Sequence, residues 1–201
     1  MAVVQDTDAQ LLDRLRAGDE QAFVVLVRRH GGAMLALASS FVPSVAVAEE
    51  VVQDTWVAVL NGIGRFEERS SFRTWLFRIL VNRARTAGVR ERRSVAIGDA
   101  GPAVDGSRFD DTGHWLSPPE HWIERADDRI SAVKMADRIR SAIEELPARQ
   151  RQVVTLRDIE GLSSDEVCAV LDLTDANQRV LLHRGRSRVR QIIETEFGST
   201  R

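Results

Sequence analysis

Apolar residues recur at spacings of three and four along most of the chain, and alternation at spacing two persists nowhere. That pattern predicts an all-α protein. Leu11, Leu12 and Leu15 line one side of a first helix over residues 7–17, which Ala17-Gly18-Asp19 breaks. Phe23, Leu26, Val27, Met34, Leu35 and Ala38 keep helical spacing over residues 20–41, and Pro43-Ser44 ends that stretch. A third helix over residues 46–60 turns Ala48, Val52, Thr55, Trp56 and Val59 inward. After a loop over residues 61–71, Phe72, Trp75, Leu76, Ile79 and Leu80 follow the i, i+3, i+4, i+7 pattern of a fourth helix over residues 72–87, which assigns Trp75 to the core. On that helix Arg78, Asn82 and Arg85 share a different face with Phe77 and Val81 beside it, a basic face with an apolar edge that suits DNA with partly unstacked bases. Gly88 is expected to weaken the helix before the Arg90–Arg93 cluster.

Residues 94–128 carry no periodicity, several glycines, Pro102 and Pro118-Pro119. The stretch is too long for a loop in a compact domain and reads as a linker, with Phe109, Trp115 and Trp122 as local anchors on a domain or on a partner. Helical spacing resumes over residues 130–146 with Val133, Ala136, Ile139, Ile143 and Leu146. The chain therefore divides into a helical domain at 1–94, an acidic, flexible linker at 95–129 and a second helical domain at 130–201.

Residues 146–190 read as three helices with two tight joints. Ser163 and Glu166 form a capping box, and Leu162 and Val167 stand where a hydrophobic staple closes the same helix start, which predicts a helix over residues 164–171. Asp172-Leu173-Thr174 is a short polar joint in which Thr174 caps the next helix, over residues 175–190. That last helix carries Arg179, Arg184, Arg186, Arg188 and Arg190 and no acid after Asp175. Two short helices across a three-residue turn, the second strongly basic, fit a helix-turn-helix whose second helix enters the DNA major groove.

Net charge is −2, which by itself does not suggest nucleic acid. Its distribution does. Seven arginines against Glu91 lie within residues 73–93, five more lie on the last helix, and between them residues 99–128 hold eight acids against Arg108 and Arg125. Cys168, the single cysteine, cannot form an internal disulfide and reads as a small core residue. The four histidines are scattered, no Cys/His spacing resembles a metal site, and no cofactor is expected. No paired carboxylates in a loop, Gly-rich phosphate loop or nucleophile with a nearby base is present, so an enzyme is not expected. No apolar run approaches 18 residues and the first ten residues do not resemble a signal peptide, so the expectation is a cytoplasmic protein without membrane insertion.

Two separated segments resemble one family, the bacterial sigma factors of the short, two-domain extracytoplasmic-function type. LLDRLRAGDEQAF, AEEVVQDTW and RFEERSSFRTWLFRILVNRAR resemble that family's second region; LPARQRQVVTLRDIEGLSSDEV and LLHRGRSRVR resemble its fourth. The resemblance implies that Glu49, Glu50, Gln53 and Asp54 dock on the clamp coiled coil of the largest subunit of core RNA polymerase. It implies that the 65–71 loop and the following helix bind the minus-ten promoter element as non-template single strand, through Arg65, Phe66, Ser71, Arg73, Arg78, Asn82, Arg85 and Arg90, and help open the duplex. The linker would thread the polymerase cleft. The C-terminal domain would read the minus-thirty-five element as duplex and touch the flap of the second-largest subunit, with Asn177, Arg179, Val180 and His183 toward bases and Arg184 and Arg186 toward phosphate. An anti-sigma protein that occludes both domains is a further partner implied. The recognition helix departs from the family, which usually has a β-branched apolar residue where this chain has Gln178, and polar or basic residues where it has Val180 and Leu181. The competing reading is a helix-turn-helix activator or repressor that binds duplex DNA as a dimer without polymerase.

Overall fold

The computed structural model describes residues 6–95 and 129–197. The linker reading, its three aromatics, His114 and His121 lie outside those residues.

The first half is four helices. Thr7 and Gln10 form a capping box at the start of α1 (Asp8–Arg16), and the Asp19 side chain accepts from the Gln21 amide to start α2 (Glu20–Ala38). Then come α3 (Val45–Gly62), a 3₁₀ turn over Ile63–Arg65, and α4 (Phe72–Val95). The second half is α5 (Arg129–Glu144), α6 (Ala148–Val154), a π turn over Thr155–Ile159, α7 (Ser164–Leu171) and α8 (Asp175–Phe197). No strand occurs among the described residues.

Two expectations fail on α4. Gly88 does not interrupt it; the helix runs on to Val95. Gly88 is there because a Cβ would lie 2.5 Å from the Phe41 carbonyl oxygen, so only glycine permits that approach of α4 to the chain after α2. Phe77 and Val81 do not edge an exposed basic face, for both are fully buried. The reason is a second packing partner: α4 lies against α2 and α3 and also against α7, which widens its buried arc beyond a single stripe.

That second partner marks a larger difference. One apolar core runs through both halves, joining Leu26, Phe77 and Leu80 to Val153, Leu156, Val167 and Leu171. A smaller cluster of Ile143, Leu146 and Val154 sits within the second half. The two helical units are thus folded onto each other rather than held apart.

Candidate polymerase and nucleic-acid interface

Burial of Ala48, Val51, Thr55, Trp56 and Val59 fixes the roll of α3 and leaves Glu49, Glu50, Gln53 and Asp54 exposed on its outer side. These side chains form an exposed hydrogen-bonding and acidic face, at whose edge Arg83 of α4 lies 3.6 Å from Asp54. A groove of about 500 Å³ between α3 and α4 brings Glu50 and Asp54 together with Asn82 and Arg90.

The loop before α4 is held rather than loose. Arg16 donates to the Phe66 carbonyl and to Glu68, both at 2.8 Å. Phe66 stacks on Trp75 with ring centroids 4.7 Å apart, so Trp75 is half-buried at the core's edge. The Ser71 hydroxyl accepts from the Thr74 amide and caps α4. Arg65, Arg78, Asn82 and Arg90 are exposed.

Three of the minus-ten candidates are engaged by the second half instead. The Ser71 hydroxyl donates to Glu166 Oε1 at 2.8 Å, beside Thr74, which donates to the same oxygen at 2.6 Å. Arg73 donates to the Glu160 carbonyl at 2.6 Å, and Arg85 donates to the Leu171 carbonyl at the end of α7.

In the helix-turn-helix, the capping box predicted at Ser163 and Glu166 is present, and α7 has the expected limits. Asp172 closes it in a left-handed conformation, φ 57°, which a short Asp side chain tolerates better than most. The Asn177 amide donates to Thr174 Oγ1, the predicted cap of α8. Gln178 is fully buried and accepts from the Ser164 hydroxyl at 2.8 Å. It therefore occupies the inward position between the two helices, where its Oε1 is hydrogen-bonded while its buried Nε2 has no partner among the described residues. A Cβ on Gly185 would meet Val154 at 2.6 Å, so glycine lets α8 press on α6. Cys168, expected in the core, is only half-buried; partial burial and the Asp175 and Asp165 carboxylates push its thiol up from the ordinary value, which keeps it protonated.

Asn177, Arg179, Val180, His183, Arg184 and Arg186 all lie exposed along α8. Arg179 is paired one turn back with Asp175 at 2.6 Å. Arg186 makes a two-point contact with Asp158, at 3.0 and 2.5 Å. Both must exchange a carboxylate for DNA before they can contact it.

A buried polar cluster escaped the sequence reading. His30, 2% exposed, places Nδ1 3.1 Å from Glu160 Oε2 and Nε2 3.3 Å from Asp8 Oδ2. Arg29 pairs with Asp8 at 2.5 Å, and Arg73 Nε lies 3.5 Å from the same carboxylate. Burial opposes the charge on the His30 ring, but the two carboxylates outweigh it and raise its pKa. Burial likewise opposes charge on Asp8, yet His30 and Arg29 bring its pKa down to about 2. The π turn and Gly161, with φ +69°, deliver Glu160 to this cluster. The only hint in the sequence was a histidine among the apolar positions of α2. Among the described residues, no group of three His, Cys, Asp or Glu is placed to hold a metal ion, and no helix is long and apolar enough to cross a membrane.

Each half of the chain is similar to known proteins. Residues 26–94 match sigma-70 region 2 and residues 136–189 match sigma-70 region 4. The ECF RNA polymerase sigma-E factor of Escherichia coli strain K12 is 30% identical over 185 residues, spanning 92% of this chain and 93% of that protein. The RNA polymerase sigma-H factor of Pseudomonas aeruginosa is 29% identical, spanning 96% of both chains. Among solved structures, CnrH in complex with the cytosolic domain of CnrY aligns at a TM-score of 0.53 with 27% identity, covering 94% of this chain and 99% of that one. The sigma factor RpoE in complex with the anti-sigma factor NepR from Bartonella quintana, 22% identical over 86% of this chain and 96% of its own, shares the fold at a TM-score of 0.56. A buried polar seam around His30, an exposed acidic helix face and an arginine-bearing helix-turn-helix are thus features of a chain that belongs to the extracytoplasmic-function family of RNA polymerase sigma factors.

Proposed function

We propose that this chain is a dissociable sigma subunit, acting in the cytoplasm, that binds core RNA polymerase, directs it to promoters with particular minus-ten and minus-thirty-five elements, and assists their opening. The observation that carries the reading is one chain with two separate arginine-bearing helices, each beside a different recognition architecture: α4 behind a fixed loop, and α8 as the second helix of a helix-turn-helix. Domain 1–94 docks on polymerase through Glu49, Glu50, Gln53 and Asp54. Arg65, Phe66, Ser71, Arg73, Arg78, Asn82, Arg85 and Arg90 hold the opened non-template strand. Unstacking a base step costs a few kcal/mol, within reach of the binding energy of such a surface. Domain 130–201 sets Asn177, Arg179, Val180 and His183 against base edges in the major groove and Arg184 and Arg186 against phosphates. Catalysis of RNA synthesis belongs to the polymerase. The names of the structural relatives support an anti-sigma protein as a further partner.

Run-off transcription with core polymerase, this protein and a library of upstream sequences tests the proposal. The expected result is transcripts starting at a fixed distance from two enriched elements; no stimulation over core polymerase alone would refute it. In the same assay, Gln53→Ala with Asp54→Ala should weaken assembly with core polymerase about tenfold, ~1.4 kcal/mol, measured by the concentration of protein needed for half-maximal transcription. Unchanged assembly would remove α3 as the docking face.

A further inference from the structure

Burial fixes which way α8 turns. Gln178 is buried against Ser164 of α7, Gly185 is buried against α6, and Leu181 and Leu182 lie half-buried beside the core. At about 100° per residue, Ala176 and Val180 stand roughly 140–180° from Gln178 and Gly185, along the outermost line of the helix. Both are exposed, Val180 by 47%. The crest of an arginine-rich helix is therefore two apolar side chains one turn apart. They lie in its first turns, where a recognition helix meets base edges. Asn177 and Arg184 flank the crest on one side and Arg179 and His183 on the other, all exposed. Folding gives no reason for the valine: it is β-branched, a weaker helix former than arginine or lysine, and it faces water.

Resting on the sigma-subunit reading, we propose that Val180, with Ala176 one turn before it, reads the 5-methyl groups of thymine in the upstream duplex. Of the four bases only thymine carries a methyl group on its major-groove edge, and an apolar side chain is the complement of that group. Cβ atoms one turn apart on a helix are about 6 Å from each other. Base pairs rise about 3.4 Å each, so the two methyls read lie about one or two pairs apart. The basic and amide flanks take phosphates and the hydrogen-bonding base edges, and so hold the crest in the groove. A protein occupant fits the patch poorly. A stable protein interface needs ~800 Å² on each side, which an alanine and a valine between arginines do not offer. Val180 is then a specificity-determining residue, and the upstream element is committed to thymine opposite it.

The test uses holoenzyme on duplexes carrying the upstream element that the run-off library enriches. Each thymine is exchanged singly for uracil, which removes the 5-methyl group and keeps base pairing. Competition binding reads affinity. In wild type, uracil at one thymine should weaken binding about fourfold, the effect of exposing one buried methyl. In Val180→Ser the same exchange should change affinity by less than about 1.5-fold, while Val180→Thr, which keeps one methyl, should retain an effect of about twofold. A second thymine, one or two pairs away, should lose its uracil effect in Ala176→Ser instead. An enriched element without thymine overturns the proposal, and so does a uracil effect that Val180→Ser leaves unchanged. Weaker assembly of Val180→Ser with core polymerase, at an unchanged preference for thymine over uracil, makes the crest a protein contact and overturns it too. If the wild-type chain gives no run-off transcript, the full chain alone selects duplexes from random DNA and the same exchanges are made in them. A Val180-dependent uracil effect there refutes the sigma-subunit reading and leaves the methyl reading standing; no selected duplex overturns both.

Discussion

The two arginine-rich helices differ in what already occupies them. On α4, Arg73 and Arg85 are bonded to carbonyls of the other half, although Arg73 stays exposed beside Arg78, Asn82 and Arg90. On α8 every candidate faces outward, and its two interrupted arginines are paired locally, with Asp175 and Asp158 of the same half. An interdomain contact can be lost only by moving a domain, whereas a surface ion pair is worth no more than about 1 kcal/mol and exchanges partner freely. Arg179 and Arg186 thus answer to acids of their own half, while Ser71, Arg73 and Arg85 are tied to the other half.

The largest test of that contrast is the pair of glycines that set each helix. Gly88→Ala forces a Cβ onto a backbone oxygen that cannot swing aside. It should lower stability by about 2 kcal/mol despite the helix propensity gained, because overpacking of this size costs ~1–3 kcal/mol. Gly185→Ala meets the tip of Val154 and, more mildly, Gln150; it should cost about half as much. Urea denaturation compares them, and equal costs would mean that α4 is no more tightly seated than α8.

Next in size, Arg179→Ala should relax discrimination at one or two base pairs of the upstream element by about 1 kcal/mol. That is the low end of the range for a bidentate base contact, because Asp175 competes for the guanidinium. Competition binding of holoenzyme to upstream variants measures it; an equal loss for all sequences would place the contact on phosphate. Smaller again, Asp158→Asn releases Arg186 and should tighten upstream binding by about 0.5 kcal/mol and steepen its salt dependence. No change in the salt slope would show that Arg186 does not reach the backbone.

The smallest effect is on pH. His30 faces Asp8 of α1, Glu160 and, through Asp8, Arg29 and Arg73. Its pKa in the closed form is raised above 6.5, so its contribution to closure is full below that value and fades as pH rises through the raised one. Glu166 has the opposite sign: lowered from 4.5 to about 2, it contributes above 4.5 and fades as pH falls through the lowered value. Scattering should find the chain most compact at mildly acid pH and loosening toward pH 9. A flat radius across that range would show that the His30 charge is not coupled to closure.

Local chemistry was legible in the sequence and long-range chemistry was not. The Ser163–Glu166 box and the Thr174 cap involve residues three apart, and both stand where the pattern put them. Phe77 and Val81 were misplaced because a single helical stripe assumes one packing face, and α4 has two. Gly88 was misread because a weak helix former and a close-approach residue carry the same letter. Gln178 departs from the family's pattern in the recognition helix, and only the docking of α8 on α7 shows its Oε1 accepting from Ser164 while its Nε2 stays unpaired among the described residues. The candidate faces on α3 and α8 followed from periodicity and charge; the engagement of Ser71, Arg73 and Arg85 did not.

Amino-acid order alone determined the helices, their caps, the turn between α7 and α8 and the separation of two basic segments, since each depends on neighbours within a turn or two. Only tertiary structure decided that Glu160 meets His30, 130 positions away, and that Thr74 meets Glu166, 92 away. Hydrogen bonds are short and directional, so whether two distant side chains meet is set by how whole helices dock, and docking is driven by apolar area that carries no direction of its own.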